Sequence, residues 1–214
     1  MRLVLPRLYV ILDAALLTHP EKEIAASLAD AGVRLLQYRS KQASARDLLD
    51  KSRALAEALL PRQVRFIVND RADVAALAGA SGVHVGQDDL GVESARSILG
   101  LSSLIGVSTH NLEQFKLAAA TSADYIALGP IFETGTKANP DPVVGVEMIR
   151  SARRLTEKPI VAIGGITLQR AAEVIAAGAD SVAVISDILR ALDPAKRAHE
   201  FIELLEGANH AAAV

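Results

Sequence analysis

Runs of apolar residues of strand length alternate along the chain with longer segments in which apolar residues recur at helical spacing. Ile160–Ile163 is apolar at every position, which is typical of a strand buried on both faces within a parallel sheet. The segment Pro20–Ala31 has apolar residues at helical spacing and is followed by Gly32, as expected of an amphipathic helix. The pattern therefore predicts a parallel sheet that is covered by helices.

This strand and helix pattern recurs along the whole chain. The predicted strands are Leu8–Asp13, Val33–Arg39, Arg65–Asn69, Gly82–Val85, Leu104–Val107, Asp124–Leu128, Pro159–Ile163 and Ser181–Ile185. The predicted helices are Pro20–Ala31, Ser44–Leu60, Arg71–Ala78, one from about Val92, Asn111–Ala120, Val143–Leu155, Leu168–Ala177, and closing helices to about Glu206.

Eight such units within 214 residues predict an α/β protein with one domain, a (β/α)8 TIM barrel over residues 1–206. Residues 207–214 are predicted to be a frayed C-terminal tail. An open doubly wound sheet is the alternative, but the turn Asp13–Leu17 lacks the glycine-rich phosphate-binding pattern that usually follows the first strand of that fold. The barrel is therefore the preferred interpretation.

Composition narrows the classes of function. The chain is 50% hydrophobic, has only 3% aromatic residues and carries a formal charge of −2, so it lacks the cationic stripe and stacking platforms of a nucleic-acid surface. The absence of cysteine excludes disulfides and thiolate metal sites and is compatible with a reducing compartment. No signal peptide or membrane span is expected from the apolar runs. We therefore expect a cytoplasmic protein that binds small molecules, with neither nucleic acid nor membrane as partner.

The carboxyl ends of the strands are the places to search for chemistry, because active sites of barrels of this kind lie there. The second strand ends in Gln37, Arg39 and Lys41, and alternation along a strand directs Gln37 and Arg39 to one face. These groups predict a site for an anion at the mouth of the barrel. A salt-bridged rim is the alternative interpretation.

Acidic residues follow the next two strands, at Asp70 and at Asp88 and Asp89. Carboxylates on neighbouring loops can share one hard cation, and Mg²⁺ fits better than Ca²⁺ because it needs few protein ligands. In the alternative, Asp70 or Asp88 caps the helix that follows it, and the pattern alone does not separate Asp88 from Asp89. His84 lies within a strand pattern and is predicted to be a satisfied interior residue.

The fifth strand is followed by Ser108 and His110, and no His or Asp companion of Ser108 is evident, so a nucleophilic triad is not predicted. The sixth strand opens into the unpatterned segment 127–142, which contains glycines, threonines and Lys137. Such a segment predicts a lid over a phosphorylated ligand. A solvated turn is the alternative interpretation.

The last two strands end in Gly164-Gly165 and Ile185-Ser186, where many barrels bind phosphate through backbone N–H groups. A tight turn that requires positive φ is the other explanation for the glycines. Together with the cations and the predicted Mg²⁺, this gives one pocket for pyrophosphate and one for a monophosphate. The combination predicts a transfer reaction in which pyrophosphate leaves without a protein nucleophile.

At these residues the chain resembles the thiamine-phosphate synthase family, from Tyr9 to about Leu189. The matching motifs are Gln37-x-Arg39-x-Lys41, Asn69-Asp70-Arg71, Gly82-Val-His-Val-Gly-Gln-x-Asp89, Gly106-x-Ser108, Gly129-Pro-Ile-Phe-x-Thr-x-Thr-Lys137, and Gly164-Gly165 with Ile185-Ser186. In contrast to many members of the family, the chain has Glu133 in place of a proline. The glutamate places a negative charge near an anion site, and it lacks the ring by which proline would make the lid more rigid.

The resemblance implies a transferase that joins 4-amino-2-methyl-5-(diphosphooxymethyl)pyrimidine to thiazole phosphate, or its carboxylated form, to give thiamine monophosphate. The implied ligands of the pyrimidine diphosphate are Gln37, Arg39, Lys41, Asn69, Ser108 and Lys137. The implied ligands of the thiazole phosphate are Thr134, Gly135, Thr136, Gly165, Ile185 and Ser186. The implied Mg²⁺ ligands are Asp70 and Asp89, and the catalytic residues are Arg39, Lys41, Ser108 and Lys137.

Two other functions are compatible with the same barrel. A thiazole tautomerase, which belongs to related proteins, would use His110 for proton transfer and would not need the groups that bind pyrophosphate. A non-catalytic barrel could sense a phosphorylated ligand. The joint presence of Arg39, Lys41, Asp70, Asp89 and Lys137 favours the synthase, and the sequence makes no prediction of the oligomeric state.

Overall fold

The computed structural model describes residues 3–135 and 141–211. The strands are β1 (Leu8–Asp13), β2 (Leu35–Arg39), β3 (Arg65–Asn69), β4 (Gly82–Val85), β5 (Leu104–Thr109), β6 (Tyr125–Leu128), β7 (Ile160–Ile163) and β8 (Ser181–Val184). The helices are α1 (Glu21–Asp30), α2 (Ala45–Leu59), α3 (Ala72–Ala78), α4 (Val92–Leu99), α5 (Leu112–Ala119), α6 (Val146–Arg153), α7 (Leu168–Ala176), α8 (Ser186–Leu189) and α9 (Pro194–Ala211). Short 3-10 turns occupy Ala14–Leu16 and Leu60–Arg62.

The strands form one closed parallel barrel in chain order, and β1 pairs with β8 to complete it. In the closing pair, Leu8 is in register with Val182 and Val10 with Val184. Because every strand is parallel to its neighbours, all the carboxyl ends open at the same mouth of the barrel. The prediction of a (β/α)8 barrel is confirmed.

Alternation along the strands separates two apolar cores. In β1, Leu8, Val10 and Leu12 pack outward against the helices, whereas Tyr9 and Ile11 point into the barrel. The continuous apolar strands of the sequence follow from this arrangement, because each face of each strand is covered. Toward the carboxyl ends of the strands, the inward-facing side chains become polar and line the mouth of the barrel.

Two elements near the mouth differ from their predicted bounds by more than one residue. β5 extends to Thr109 rather than ending at Val107, and the buried Thr109 hydroxyl donates to the Ala127 carbonyl oxygen at 2.8 Å. α6 begins at Val146 rather than Val143, after Gly145 with a φ of 74°. The connection between β6 and α6 is therefore longer than the helical pattern indicated.

The last helix also continues beyond its predicted end. We expected the closing helices to stop near Glu206 and a frayed tail over 207–214, but α9 runs from Pro194 to Ala211. The added residues Gly207–Ala211 lack a regular apolar pattern, so hydrophobic periodicity does not predict this part of the helix. Residues 212–214 lie outside the described part of the chain. Along residues 3–135 and 141–211, no helix combines the length and the apolar content that crossing a membrane requires.

Candidate active site

A cavity opens at the carboxyl ends of the strands, and most of the predicted site residues line it. The predicted residues that line the cavity are Gln37, Arg39, Asn69, Ser108, Thr134, Gly165, Ile185 and Ser186. Among the described residues, Lys41, Asp70, Asp89 and Gly135 are outside this lining set. Thr136 and Lys137 fall in residues 136–140, outside the described part of the chain. The cavity therefore brings together groups from both ends of the sequence.

Arg39 is held in the cavity by a carboxylate that the sequence analysis did not identify. Its guanidinium donates to Asp13 Oδ2, and the exposed fractions of the two side chains are 20% for Arg39 and 4% for Asp13. Asp13 Oδ1 also accepts a hydrogen bond from the Ala15 N–H at 3.0 Å. Arg39 therefore forms a salt bridge, as the alternative interpretation of these cations expected. The parity of β1, which points Asp13 inward with Tyr9 and Ile11, was the available signal for this pair.

A second ion pair lies at the rim between β2 and β3. Lys41 Nζ donates to Asp70 Oδ2 at 2.6 Å, and Asp89 Oδ2 accepts a hydrogen bond from the Gly86 N–H at 2.7 Å. Burial raises the pKa of the Asp89 carboxyl, and the neighbouring Asp70 carboxylate raises it further, while the Gly86 N–H and Lys41 oppose the rise. The Asp70 carboxylate is thus close enough to disfavour the ionisation of Asp89.

The backbone at Asp70 is unusual and directs its carboxylate. Asp70 has a φ of 64°, the left-handed region that aspartate adopts more readily than most residues. Its N–H donates to the His84 carbonyl oxygen at 2.7 Å, which holds this conformation. α3 begins after the N-cap residue Arg71 and α4 after Gly91, and neither N-cap side chain makes a capping hydrogen bond. The helix-cap interpretation of Asp70 and Asp88 is therefore not supported.

The carboxylates at the rim fit a cation that takes few protein ligands. Within residues 3–135 and 141–211 there is no group of three or more His, Cys, Asp or Glu side chains arranged to hold a metal ion. Asp70 and Asp89 are adjacent, whereas Asp88 is exposed. A Mg²⁺ ion usually keeps several waters and takes one or two carboxylates plus phosphate oxygens, so this pair of oxygen donors matches Mg²⁺ rather than a protein-only cage.

Buried polar groups cross the floor of the cavity in one connected network. Gln37 Nε2 donates to the Tyr9 hydroxyl at 2.7 Å, and the Tyr9 and Tyr125 hydroxyls are 3.0 Å apart. His84 Nδ1 lies 3.1 Å from the Tyr125 hydroxyl, and His84 Nε2 lies 2.8 Å from Ser108 Oγ. Burial raises the pKa of both tyrosines, so they remain neutral hydroxyls at physiological pH.

The contact between His84 and Ser108 corrects one prediction and agrees with another. The sequence analysis found no companion for Ser108, yet His84 reaches it across the pair of strands β4 and β5. The alternation of side chains along β4 directs His84 into the barrel, and this alternation is the sequence signal for the contact. The second nitrogen of His84 contacts a phenol rather than a carboxylate, so the contacts given among residues 3–135 and 141–211 do not form a charge-assisted triad. His84 is a satisfied interior residue, as predicted.

The glycine pair after β7 supports the connection that follows β6. Gly164 and Gly165 have φ values of 99° and 63°, and the Phe132 N–H donates to the Gly164 carbonyl oxygen at 3.0 Å. A Cβ at Gly165 would lie 2.3 Å from the Glu133 carbonyl oxygen. The tight-turn explanation therefore holds, with close backbone packing in addition. Phosphate binding by these glycines stays a prediction.

Substitution of Gly165 by alanine is expected to lower the free energy of unfolding by about 3 kcal/mol, from the left-handed backbone and the collision together. Gly79 is a matched control, because its φ is 66° and a Cβ there would meet nothing within 4 Å. Gly79→Ala should lower the free energy by only about 1 kcal/mol. Chemical unfolding of both variants measures the difference, and equal losses would contradict the packing role.

His110 is placed at the edge of the same cavity. Its Nδ1 atom lies 2.6 Å from the Gly129 carbonyl oxygen and 3.4 Å from Asp141 Oδ2. A carbonyl only accepts hydrogen bonds, so Nδ1 carries the proton and Nε2 is unprotonated in the neutral imidazole. His110 is therefore equipped to accept a proton or hydrogen bond from a ligand, as the tautomerase alternative requires.

A closed (β/α)8 barrel with this polar cavity at the carboxyl ends of its strands defines an enzyme of the barrel class that acts on small molecules. One end of the cavity is lined by Arg39, which is paired with Asp13, and the other is formed by glycine backbone and the start of α8. The family model described as thiamine monophosphate synthase matches residues 8–188. The chain belongs to this family of transferases, and the predicted resemblance is confirmed.

Similar proteins support the same assignment over nearly the full chain. The thiamine-phosphate synthase of Koribacter versatilis is 53% identical over 212 residues, which cover 95% of this chain and 97% of that protein. The thiamine-phosphate synthase of Agrobacterium fabrum is 42% identical and covers 94% of both chains. The thiamine phosphate pyrophosphorylase structure from Pyrococcus furiosus has a TM-score of 0.86 at 33% identity, covering 95% of this chain and 96% of its own. These relatives do not favour the tautomerase alternative.

Proposed function

We propose that this enzyme joins 4-amino-2-methyl-5-(diphosphooxymethyl)pyrimidine to 4-methyl-5-(2-phosphooxyethyl)thiazole and releases thiamine monophosphate and pyrophosphate. With the carboxylated form of the thiazole, carbon dioxide is released as well. The observation that carries the proposal is the division of one cavity into a side that holds Arg39 and a glycine side at β7 and β8, with the Lys41–Asp70 ion pair at the rim outside the cavity lining. Such a division suits two phosphorylated substrates that must meet at their unphosphorylated rings. Membership of the synthase family supports it.

The balance of charge on the pyrophosphate side supports a role for Mg²⁺. Arg39 and Lys41 are each paired with a carboxylate, Asp13 and Asp70, and Asp89 adds a further acidic group beside Asp70. Two cations against three carboxylates leave a formal charge of −1 when all are ionised, which repels a pyrophosphate. Mg²⁺ bound by Asp70 and Asp89 would supply the positive charge that neutralises the leaving group. Lys137 is proposed as the further cation.

The remaining residues of this side bind and orient the pyrimidine diphosphate. Arg39 and Lys41 direct their N–H groups toward the pyrophosphate, and Gln37, Asn69 and Ser108 hold the pyrimidine ring. Positioning and charge stabilisation are sufficient for a reaction in which the leaving group departs first. No protein nucleophile is needed, which agrees with the neutral partners of Ser108.

The chemical step begins when the bond between the methylene carbon and the pyrophosphate oxygen breaks. The electron pair leaves with pyrophosphate, and the pyrimidine-methyl cation is captured by the lone pair of the thiazole nitrogen. Buried tyrosines and strand side chains below the ring keep water away from this cation. Electrons and atoms balance without an oxidant or a protein-bound intermediate.

The thiazole phosphate is proposed to bind on the glycine side. Backbone N–H groups near Gly165 and Ser186, with Ile185 against the ring, suit a monophosphate. Thr134, Gly135 and Thr136 of the connection after β6 would close over it, with hydroxyls as donors. The packing of this connection on Gly164 and Gly165 supports the closure, because it holds Thr134 at the cavity.

Pyrophosphate release by the purified protein tests the proposal. The reaction should require the pyrimidine diphosphate and Mg²⁺, and thiamine monophosphate should form only when thiazole phosphate is also present. EDTA should abolish turnover, and added Mg²⁺ should restore it. Absence of release with both substrates and Mg²⁺ would contradict the synthase activity, and undiminished turnover in EDTA would contradict the metal role alone.

A further inference from the structure

The network on the cavity floor joins two proposed substrate ligands through three residues to which no role has been assigned. Gln37 and Ser108 are its ends, and Tyr9, Tyr125 and His84 connect them through contacts of 2.7, 3.0, 3.1 and 2.8 Å. Each of the five comes from a different strand. The ends line the cavity, so the hydrogen-bonding state of one end is linked to that of the other.

The rings in the middle of the network are fixed by their surroundings. Tyr9 and Tyr125 are 1% and 0% exposed. Tyr125 stacks on His84 with ring centroids 5.6 Å apart and meets Tyr9 edge to face at 6.0 Å. A Cβ at Gly106 would lie 2.1 Å from Tyr125 Cζ, so β5 carries a glycine where this ring crosses. The absence of a side chain at Gly106 therefore leaves room for the Tyr125 ring inside the barrel.

Each buried hydroxyl has one hydrogen that needs an acceptor, so an oxygen that accepts from one neighbour in the network donates its hydrogen to the other. Gln37 Nε2 donates to Tyr9, which directs the Tyr9 hydrogen to Tyr125 and the Tyr125 hydrogen to His84 Nδ1. His84 then carries its proton on Nε2 and donates to Ser108 Oγ. Within the network of described residues, the Ser108 hydrogen and the Gln37 carbonyl oxygen are not used and are available to a ligand.

Reversal of this order requires several simultaneous changes. The Gln37 amide must turn over, His84 must change tautomer, and the hydroxyl hydrogens of Tyr9, Tyr125 and Ser108 must all reorient. The burial that raises the pKa of both phenols keeps them neutral, so each retains the hydrogen that it must donate within the network. The two ends therefore keep opposite character, with Gln37 as acceptor and Ser108 as donor.

We propose that Tyr9, Tyr125 and His84 are positioning residues that fix this polarity, so that the cavity selects a 4-aminopyrimidine and rejects its 4-oxo counterpart. The inference rests on the proposed function. A 4-aminopyrimidine offers an N–H donor beside a ring-nitrogen acceptor, and these are the types that complement an acceptor at Gln37 Oε1 and a donor at the Ser108 hydroxyl, both in the cavity lining. The 4-oxo ring offers an oxygen acceptor beside a ring N–H, which inverts both hydrogen bonds and leaves buried groups unpaired.

The test compares kcat/KM for the 4-amino and 4-oxo pyrimidine diphosphates with thiazole phosphate and Mg²⁺. Wild-type protein should prefer the amino substrate by roughly 10³-fold, the size of two mismatched hydrogen bonds. Tyr125→Phe removes the hydroxyl that links Tyr9 to His84 and should reduce the preference to about tenfold. Tyr38→Phe is the matched control, because Tyr38 is buried on the helix side and its hydroxyl donates to Glu21 Oε1 at 3.2 Å.

A second readout does not depend on turnover. Nitrogen NMR of the His84 ring should report the Nε2–H tautomer in wild type and in Tyr38→Phe, and a mixture of tautomers in Tyr125→Phe. An Nδ1–H tautomer in wild type, or an unchanged substrate preference in Tyr125→Phe, would overturn the inference while the synthase activity stands. Absence of turnover by wild type with the amino substrate would overturn the proposed function and this inference with it.

Discussion

Arg39→Met is expected to lower kcat/KM by about 10²- to 10³-fold, the effect of removing one positioned donor from a developing charge. It is also expected to lower the free energy of unfolding by about 3 kcal/mol, because it leaves the Asp13 carboxylate buried without its cation. Asp13 is 4% exposed at its side chain, so water cannot replace the guanidinium. Steady-state kinetics and chemical unfolding measure the two losses separately.

The double variant Asp13→Asn/Arg39→Met separates stability from catalysis. Replacing the carboxylate by a neutral amide removes the unpaired charge, so most of the lost free energy of unfolding should return. The amide keeps an oxygen that can accept from the Ala15 N–H, as Asp13 does at 3.0 Å. The kcat/KM value should stay low. Recovery of activity together with stability would show that Arg39 supports the fold and does not bind substrate.

Asp89→Asn is expected to raise the Mg²⁺ concentration for half-maximal rate by tenfold or more, the factor that corresponds to about 1.4 kcal/mol of binding free energy. Asp70→Asn should act in the same direction, because the two carboxylates are proposed to share the ion. Asp88→Asn is the matched control, since Asp88 is exposed and adjacent in sequence. An Mg²⁺ titration of the three variants gives the result, and equal shifts for Asp88→Asn and Asp89→Asn would contradict the assignment.

The same Asp89 variant should behave differently in a stability measurement without metal. The folded protein raises the pKa of Asp89, so its contribution to stability is present below the unfolded pKa and is lost as pH rises through the folded pKa. At neutral pH the ionised side chain therefore opposes folding. In EDTA at pH 7, Asp89→Asn should unfold at the same or a higher temperature than wild type, whereas at pH 3 this advantage should disappear. A lower unfolding temperature at pH 7 would indicate a structural role instead.

Local patterns were sufficient to predict the barrel because its units are short and repeat. The strands were found by continuous apolar runs, and the helices between them by their spacing, since both depend on neighbouring residues. The observed bounds of two elements differ from the predicted ones. β5 continues to Thr109, whose hydroxyl donates to the Ala127 carbonyl oxygen, and α6 begins at Val146, after Gly145 with its positive φ.

The candidate site was predicted as a set of residues at strand ends but without its pairings. Strand parity correctly grouped Gln37 with Arg39 in the cavity, because side chains alternate with a fixed period. The partner of Arg39 is Asp13, on the neighbouring strand, and that of Ser108 is His84. Strand parity directs Asp13 and His84 into the barrel, but which inward side chains pair depends on the register between strands, which local spacing does not give.

The sequence by itself determined the fold class, the transferase family and the positions along the chain where polar groups interrupt apolar strands. These follow from periodicity and from motifs of fixed spacing, which are properties of short segments. Only the tertiary structure decided that Arg39 and Lys41 are neutralised by Asp13 and Asp70 and that Tyr125 joins His84 to Tyr9. The physical reason is that closing the barrel brings strands far apart in sequence within hydrogen-bonding distance, and burial then determines which charges and hydroxyls must pair.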